Sequence, residues 1–416
     1  MFKKVISAVL MVTIAFGGMI MLTSCNAQQT KQFTLKFITT PLYENGKVSE
    51  TPYTVTWDKE TFEKESSQFS PELAKTALVM CATAYSYTYA LDNFDTMEFE
   101  HKAKFNYGEN YDENAVGMII ASKEIEDTTV VVITLRGTLK KEWYSNFDIG
   151  KNIRETNVHQ GFDNARNFAL EKLKMFIGNY GIDRDHTKFL VTGHSRGAAV
   201  ANLLSKSLID TYGTDNVYAY TFATPNTTLD SEANSSRYSS IFNFVNPEDF
   251  IAHIPLSQWG FTKYGTTINF PSRDTDENFD TKEREVAEIY EKYKGRPFKS
   301  FGGTKSQEEF MNTAFELAPT IKDYYDTKYD IAGLKLSLYE YMNVLGALLN
   351  EENIISNGMI LLGSQGSPFE GLTNYITSGM DTQSDAFSID YEDSLIGYAH
   401  TAEAYLALLE VYINHM

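Results

Sequence analysis

The feature that most constrains this chain is a strand, a tight turn and a helix in direct succession at residues 188–204. The apolar residues 189–191 predict a buried strand and the small residues 198–204 predict a helix, while the turn between them reads G-H-S-R-G. A sharp strand-to-helix turn holds a serine hydroxyl clear of its own backbone, and the flanking glycines leave room for the turn. The bare pattern is common by chance, so its setting carries the prediction. Ser195 is the candidate nucleophile.

Strand and helix patterns alternate on both sides of this turn. Buried strands are predicted at residues 128–135, 217–223 and 241–245, and an amphipathic helix follows residue 159. This alternation is typical of a sheet whose parallel strands are joined by helices. We therefore expect an α/β fold with a mostly parallel sheet and flanking helices. Residues 33–39 and 53–57 predict an additional N-terminal strand pair.

After residue 268 the sequence changes from strand patterns to helix patterns. The helices predicted there cover residues 281–294, 306–317, 334–350 and 395–413. We interpret residues 269–394 as a helical insertion, or cap, in a core formed by residues 25–268 and completed by residues 395–416. The cap is either a lid and acyl-chain pocket or plain packing over the sheet.

The first 24 residues have the pattern of a segment that is removed during export. Lys3 and Lys4 precede an apolar run at residues 5–22, and the run ends in L-T-S-C, of which the last residue is Cys25. This resembles the lipobox of bacterial lipoprotein precursors, which implies a signal peptide at residues 1–24 and lipidation of Cys25. The alternative is an uncleaved membrane anchor, since the apolar run approaches spanning length. Both place the remaining chain outside the cytoplasm and attached to a membrane.

The net charge argues against a nucleic-acid-binding protein, and the cysteine count argues against an intrachain disulfide. The formal net charge of −19 leaves no basic surface for phosphates, so a nucleic-acid partner is not expected. The chain has 2 cysteines, and lipidation of Cys25 leaves Cys81 without a partner for an intrachain disulfide. Cys81 lies on an apolar helical face with no activating neighbour, so we expect a buried, inert thiol. The oligomeric state is not determined by these patterns.

A serine nucleophile needs a base, and the base needs an orienting acid. Of the 7 histidines, His400 follows both Ser195 and Asp249, which is the chain order of α/β-hydrolases. His159 remains an alternative base because it ends a loop near the working edge of the sheet. The others are expected to lie on the surface, at the terminus or in unsuitable positions: His101, His186, His194, His253 and His415.

Asp249 is the candidate acid because it follows the strand at residues 241–245 on a proline-containing loop. Glu248 and Asp230 are the alternatives. Thr138 follows another buried strand in the sequence R-G-T, where its N–H and hydroxyl can point at an oxyanion. Ordinary turn chemistry is the other explanation for Thr138.

Five ordered motifs together resemble the class 3 lipases, the fungal-lipase-like branch of the α/β-hydrolases. They are V-I-T-L-R-G-T at 132–138, V-H-Q-G-F at 158–162, V-T-G-H-S at 191–195, Y-T-F-A-T-P at 220–225 and N-P-E-D at 246–249. The resemblance covers about residues 70–265 and the segment around His400. It implies that Ser195, Asp249 and His400 form a catalytic triad, and that Thr138 and the backbone N–H of Arg196 form the oxyanion hole.

The same resemblance implies a serine hydrolase that cleaves carboxylic esters, acting on acylglycerols or other lipid esters without a cofactor. Two alternatives remain: a non-catalytic surface-binding lipoprotein on the same fold, and a peptidase or amidase. Arg196 departs from the leucine that the family commonly has after the serine. Its side chain is expected either to pair with a carboxylate of the cap or to favour an acidic headgroup.

A calcium-loop spacing of oxygen-bearing residues occurs at residues 274–285. Its sixth position is Phe279, where the sharp turn of such a loop requires glycine, and no helix is predicted before it. A solvated acidic loop is therefore the expected structure, and no metal site is predicted.

Overall fold

The computed structural model describes residues 31–39, 49–57, 59–295, 297–298, 304–331, 334–348, 368–369 and 395–416. The predicted signal peptide at residues 1–24 and Cys25 lie outside the described residues. Helices and strands are numbered below in chain order within the described ranges.

Among the described residues, seven strands form one mixed sheet, and their order in the sheet is their order along the chain. The strands are β3 (His101–Phe105), β4 (Met118–Ile125), β5 (Thr128–Leu135), β6 (Thr187–His194), β7 (Val217–Phe222), β8 (Ile241–Val245) and β9 (Thr266–Asn269). The first three are antiparallel, and every neighbouring pair from β5 to β9 is parallel. The predicted fold class, an α/β fold with a mostly parallel sheet, is confirmed.

Helices cover both faces of this sheet, which explains why β5 is apolar without alternation. Val130 and Val132 belong to the core on one face, whereas Val131 and Ile133 belong to the core on the other. The helices of this part of the chain are α1 (Pro71–Thr83), α2 (Tyr87–Thr96), α3 (Trp143–Phe147), α4 (Ile153–Thr156), α5 (Gln160–Tyr180) and α6 (Arg196–Tyr212). Helix α1 packs on the first face, and α5 and α6 pack on the second.

The N-terminal strands form the predicted antiparallel pair, β1 (Lys31–Ile38) with β2 (Glu50–Trp57). Their apolar residues join the core around α1. A serine followed by a proline at residues 70–71 predicts the start of a helix, and α1 does begin there: the hydroxyl of Ser70 accepts the N–H of Leu73, and Pro71 occupies the first helical position.

The described elements between β9 and residue 349 are mainly helical. They are α7 (Phe279–Lys294), α8 (Lys305–Leu317), α9 (Ile321–Asp326), β10 (Tyr329–Ile331), β11 (Leu334–Leu336) and α10 (Leu338–Leu348). The predicted helix at 334–350 begins too early. Residues 334–336 pair with β10, and Ser337 and Glu340 then cap α10 by exchanging hydrogen bonds between their side chains and backbone N–H groups.

The end of the chain forms two helices where one was predicted, α11 (Leu395–His400) and α12 (Ala402–Asn414). Thr401 separates them because its backbone is extended and its hydroxyl accepts the N–H of Ala404, capping α12. His400 therefore ends one helix just before another begins. Within the described residues, no helix combines the length and hydropathy needed to cross a membrane.

Candidate active site

Ser195 lies in the turn between β6 and α6 with an unusual backbone conformation. Its φ of 59° and ψ of −128° are disfavoured for every residue with a side chain. The turn is held because the N–H of Ser195 donates to the carbonyl of Phe222, the last residue of β7, at 3.0 Å. Such strain costs on the order of 1–3 kcal/mol and concentrates at functional sites.

The two glycines that flank Ser195 are required by close backbone contacts. A Cβ at Gly193 would lie 2.3 Å from the carbonyl oxygen of Gly197, and a Cβ at Gly197 would lie 2.3 Å from the carbonyl oxygen of Leu135. The second contact also shows that α6 begins directly against the end of β5. The G-x-S-x-G spacing is therefore a packing requirement of this turn.

The structure brings together the three side chains predicted to form a triad. His400 Nε2 lies 2.8 Å from Ser195 Oγ, and His400 Nδ1 lies 2.7 Å from Asp249 Oδ2. The carboxylate accepts the Nδ1 proton, which leaves Nε2 with a lone pair facing the serine hydroxyl. All three residues are buried. This is the arrangement in which a histidine can remove a proton from a serine hydroxyl.

Asp249 is fully buried, and both of its carboxylate oxygens accept hydrogen bonds. Oδ1 accepts the N–H of Ile251 at 3.0 Å, and Oδ2 accepts the hydroxyl of Tyr405 at 2.8 Å as well as the proton of His400. Tyr405 in turn accepts the N–H of Asn246 at 3.1 Å. Burial and the neighbouring Asp249 raise the pKa of Tyr405 well above its usual range. The phenol therefore stays protonated and donates to the acid.

His194, beside the serine, holds the backbone of His400. Burial, followed by the nearby His400, lowers the pKa of His194 well below its usual value, so its ring is neutral. Its Nδ1 faces the hydroxyl of Tyr85 at 2.9 Å and its Nε2 faces the carbonyl of His400 at 2.8 Å. Since a carbonyl only accepts, Nε2 carries the ring proton and Nδ1 accepts from Tyr85.

Thr138 lies at the end of β5, on the same edge of the sheet as Ser195. A Cβ at Gly137 would lie 3.2 Å from the carbonyl oxygen of His194, so the loop after β5 touches the serine turn. The loop is fixed by a buried ion pair in which Arg136 donates two hydrogen bonds to Glu142, at 2.7 and 3.0 Å. Asn146 Nδ2 donates to Thr138 Oγ1 at 2.8 Å.

Among the described residues, the side chain of Arg196 does not meet the cap carboxylate that is one of its two expected partners. It is 1% exposed, and within the described residues its nitrogens reach no carboxylate. Nη1 donates instead to Asn146 Oδ1 at 2.8 Å, and Nη2 donates to the carbonyl of Ala115 at 3.0 Å. Burial lowers the pKa of Arg196 to about 10, so the guanidinium remains charged at neutral pH. Its backbone N–H begins α6 and has no acceptor within the helix.

The alternative base and acids have other partners. His159 caps α5, with Nδ1 accepting the N–H of Phe162 at 3.4 Å and Nε2 facing the carbonyl of Asn146 at 3.2 Å. Asp230 accepts the hydroxyl of Tyr264 at 3.0 Å. The Nδ1–H of His400 donates to Asp249, so Asp249, and neither Asp230 nor Glu248, is the acid that orients the histidine.

An apolar cavity of about 70 Å³ adjoins Ser195 and extends towards the cap. Its walls come from both the core and the segment that follows it, including Trp143, Phe162, Leu256, Phe310, Leu338 and Met342. Phe310 and Leu338 belong to α8 and α10, and both are buried against Phe250 and Leu256. Helices α8 and α10 thus contribute walls to the cavity, whereas α7 packs in the core around α1.

The calcium spacing at residues 274–285 does not assemble into a site. Asp280 and Glu285 lie in α7, Asp276 pairs with Lys282 at 2.5 Å and Asp274 accepts the N–H of Thr304 at 2.7 Å. The described part of the chain contains no group of three or more His, Cys, Asp or Glu side chains able to hold a metal ion.

Cys81 is buried as predicted. Burial raises the pKa of its thiol to about 12, so the thiol stays protonated and unreactive.

Sequence reasoning missed three polar residues that organise the site: Asn146, Asn246 and the imidazole of His194. Asn146 contacts Thr138 and Arg196, His194 contacts the carbonyl of His400, and the N–H of Asn246 donates to Tyr405, which binds Asp249. Asn146 lies in α3 and Asn246 directly follows β8, and polar side chains shortly after buried strands are a signal of site support. That signal does not indicate which residue each would contact.

Three buried histidines predict that the protein loses stability in mild acid. Burial lowers the pKa of His159 to about 3 and of His253 to about 4, and the pKa of His194 is also lowered. Since the unfolded chain binds these protons near pH 6.5, folding stability falls as the pH drops from 6.5 towards 4, by at most about 1.4 kcal/mol per pH unit for each histidine. Urea unfolding at several pH values should show a shallower dependence for His159→Gln than for the unchanged protein.

A matched control for that measurement is His186→Gln. His186 is exposed, and its hydrogen bond with Asp183 raises its pKa, so it favours the folded state at low pH. Its replacement should not reduce the loss of stability between pH 6.5 and 4. Equal slopes for His159→Gln and the unchanged protein would contradict the assignment of His159 as a buried neutral residue.

Part of the chain is similar to known proteins. Residues 132–259 match the family described as Lipase (class 3). A relative named secreted mono- and diacylglycerol lipase 1, from Fusarium solani, is 26% identical over 139 residues, which cover 32% of this chain and 41% of the relative. The chain therefore matches less than half of the length of that relative.

Two solved structures of fungal lipases are similar to the chain. The Rhizomucor miehei lipase in a propeptide complex is 18% identical, with 52% of this chain and 71% of that chain covered and a TM-score of 0.37. Lipase II from Rhizopus niveus is 17% identical, with 53% and 84% covered and a TM-score of 0.37. The sequence match to the class 3 lipase family covers residues 132–259, a range that includes both the serine turn and the acid loop.

Proposed function

We propose that the protein is a serine hydrolase that cleaves carboxylic esters through an acyl-enzyme, with Ser195 as nucleophile, His400 as base and Asp249 as acid. The observation that carries the proposal is the hydrogen-bonded series from Asp249 through His400 to Ser195. Ser195 and His400 are 205 positions apart, so a chance local pattern does not explain their contact. The strained backbone of Ser195 supports the same assignment.

In the first half of the reaction, Ser195 Oγ attacks the ester carbonyl while His400 Nε2 takes the hydroxyl proton. Asp249 stabilises the resulting imidazolium and keeps its Nδ1–H pointing away from the substrate. The carbonyl oxygen, as it becomes negative, accepts hydrogen bonds from the backbone N–H of Arg196 and from Thr138. His400 then gives its proton to the departing alcohol, and an acyl-serine remains.

In the second half, a water molecule attacks the acyl-serine, and Ser195 Oγ becomes the leaving group while His400, Asp249 and the oxyanion donors keep their roles. His400 removes a proton from the water, the oxyanion forms again in the same place, and the proton returns to Ser195 Oγ as the carboxylic acid leaves. The chain itself supplies every group required for both halves.

A lipid ester is the substrate class that the cavity favours. Apart from Asn146 and Arg196, the walls beside Ser195 are aromatic and aliphatic, which suits an acyl chain better than a charged peptide segment. The name of the Fusarium solani relative specifies mono- and diacylglycerols, which supports acylglycerols as the class. We assign α8 and α10, within the predicted cap at residues 269–394, to the wall that completes this acyl pocket through Phe310 and Leu338.

The same relative is described as secreted, which supports an extracytoplasmic location for this protein. Attachment to a membrane through lipid on Cys25 is a further proposal and depends on the L-T-S-C sequence alone.

Covalent labelling tests the proposed function directly. A fluorophosphonate probe is expected to modify the peptide that contains Ser195, as mapped by mass spectrometry, and to abolish turnover of p-nitrophenyl esters in the same sample. Esters of increasing acyl length should be hydrolysed much faster than the matching p-nitroanilides. Labelling of a different serine, or no labelling and no turnover, would contradict a serine hydrolase. Faster anilide cleavage would favour the amidase alternative.

A further inference from the structure

Three side chains next to the nucleophile form a directed series of hydrogen bonds. Arg196 Nη1 donates to Asn146 Oδ1 at 2.8 Å, and Asn146 Nδ2 donates to Thr138 Oγ1 at 2.8 Å. Arg196 is 1% exposed, so water does not compete for its end of the series. The series begins at a cation and ends at the hydroxyl assigned to the oxyanion hole.

The donor and acceptor chemistry of these groups allows one orientation of the amide. A guanidinium has no acceptor, so the oxygen of Asn146 must face Arg196. The amide nitrogen then faces Thr138, whose oxygen accepts a hydrogen bond. A threonine hydroxyl has a single proton, and because its oxygen already accepts from Asn146, that proton is free to point at a third group.

We propose that Arg196 is a positioning residue of the oxyanion hole: through Asn146, its side chain makes the hydroxyl of Thr138 a donor to the oxyanion. This inference depends on the proposed function. Without the guanidinium, the Asn146 amide is free to rotate and to accept the proton of Thr138, which removes that donor from the hole. One residue thus contributes twice, since the backbone N–H of Arg196 is the other donor.

The charge of Arg196 strengthens the same series. Its guanidinium reaches no carboxylate among the described residues, and the nearby Glu142 is already bound by two nitrogens of Arg136. The positive charge is therefore not cancelled by a contact ion pair. Hydrogen bonds in series polarise one another in a buried environment, so a cation at the far end makes the hydroxyl of Thr138 a stronger donor.

A structural role is the competing explanation, because Arg196 Nη2 also donates to the carbonyl of Ala115 and the guanidinium lies 6.0 Å from the ring of Phe162. Loss of stability alone would not depend on what stands at position 138. The test therefore asks whether the effect of changing Arg196 disappears when the hydroxyl of Thr138 is removed.

A double-mutant cycle in kcat for p-nitrophenyl butyrate makes this comparison. Thr138→Val is expected to lower kcat by about a hundredfold, the usual effect of losing one oxyanion donor. Arg196→Met should lower kcat by a comparable factor with KM within about threefold, and the double variant should be no more than about threefold slower than Thr138→Val alone. Thr138→Ser keeps the hydroxyl, so Arg196→Met should retain its full effect in that background.

Arg196→Lys retains a donor for Asn146 Oδ1, so its kcat should be at least tenfold higher than that of Arg196→Met. Val200→Ala, a buried change in the same helix, is the stability control. In the Val200→Ala background, Thr138→Val should lower kcat by the same factor as in wild type. All assays are run below the unfolding temperature of every variant. If Arg196→Met does not fold, Asn146→Leu takes its place in the cycle, because it breaks the same series without removing a buried cation.

The outcomes separate this inference from the proposed function. If the unchanged protein neither hydrolyses esters nor reacts with the fluorophosphonate probe, the proposed function fails and the inference fails with it. If the unchanged protein is active but the effects at positions 138 and 196 multiply, the proposed function stands and the positioning role is wrong.

Discussion

Ser195→Ala is expected to lower kcat for ester hydrolysis by about 10⁴- to 10⁶-fold, the range seen when the nucleophile of a triad is removed. The variant keeps Gly193, Gly197 and the turn between them, so the oxyanion donors and the cavity stay in place. The residual rate measures what those features achieve without acyl-enzyme formation. Stopped-flow assays with a p-nitrophenyl ester in excess over the enzyme give the comparison: wild type should release a burst of p-nitrophenol, and the variant should not.

The control for this change is Ser205→Ala, which removes another buried hydroxyl from α6. Ser205 Oγ has no hydrogen-bond partner among the described residues, so kcat should stay within about twofold of wild type. Ser195→Gly adds a second diagnostic. Glycine adopts φ of 59° and ψ of −128° more easily than serine, so this variant should be inactive yet more stable by about 1 kcal/mol. Retained activity in Ser195→Ala would rule out Ser195 as the nucleophile.

His400→Gln is the second change with a very large expected effect, again about 10⁴-fold or more in kcat. Glutamine occupies a similar volume, but its amide has no basic lone pair on nitrogen to take the proton of Ser195. The loss should appear in kcat, with KM little changed, because His400 acts on the nucleophile and does not line the apolar cavity as a binding residue. Steady-state kinetics over a range of p-nitrophenyl esters measures both constants.

His159→Gln is the matched control, since His159 is the alternative base that the sequence left open. Both histidines are buried, but His159 caps α5 and its ring faces the carbonyl of Asn146. His159→Gln should reduce stability while kcat stays within about tenfold of wild type. Loss of activity in His159→Gln together with retained activity in His400→Gln would reverse the assignment.

Much of the core was predictable because its signals are local. The unbroken apolar run of β5 predicts a strand buried on both faces, and α5 and α6 do cover its second face. Ser70 with Pro71 predicts the start of α1, because the Ser70 hydroxyl caps the helix that begins at the next residue. The helix predicted at 334–350 was wrong at its start because Leu334 and Leu336 suit a helix by composition, and pairing with β10 decides otherwise.

The three members of the candidate triad were predicted on different grounds. The serine follows from a turn whose geometry demands particular residues, whereas the histidine follows from its order in the chain and from the unsuitable positions of the other histidines. Its contact with Ser195 depends on Thr401 ending α11, on His194 binding the carbonyl of His400, and on α12 presenting Tyr405 to Asp249. No periodic pattern encodes these three contacts.

Local steric and hydrogen-bonding rules act between neighbours in the chain, so the sequence by itself determined the parallel α/β core, the serine turn and its two glycines. Tertiary structure decided which histidine meets Ser195, what Asp249 accepts and where Arg196 points. In a buried site, each donor must find an acceptor, and the available acceptors come from segments far apart in sequence. Arg196 illustrates the difference: sequence patterns suggested a carboxylate or an acidic headgroup, and the folded chain offers it the amide of Asn146.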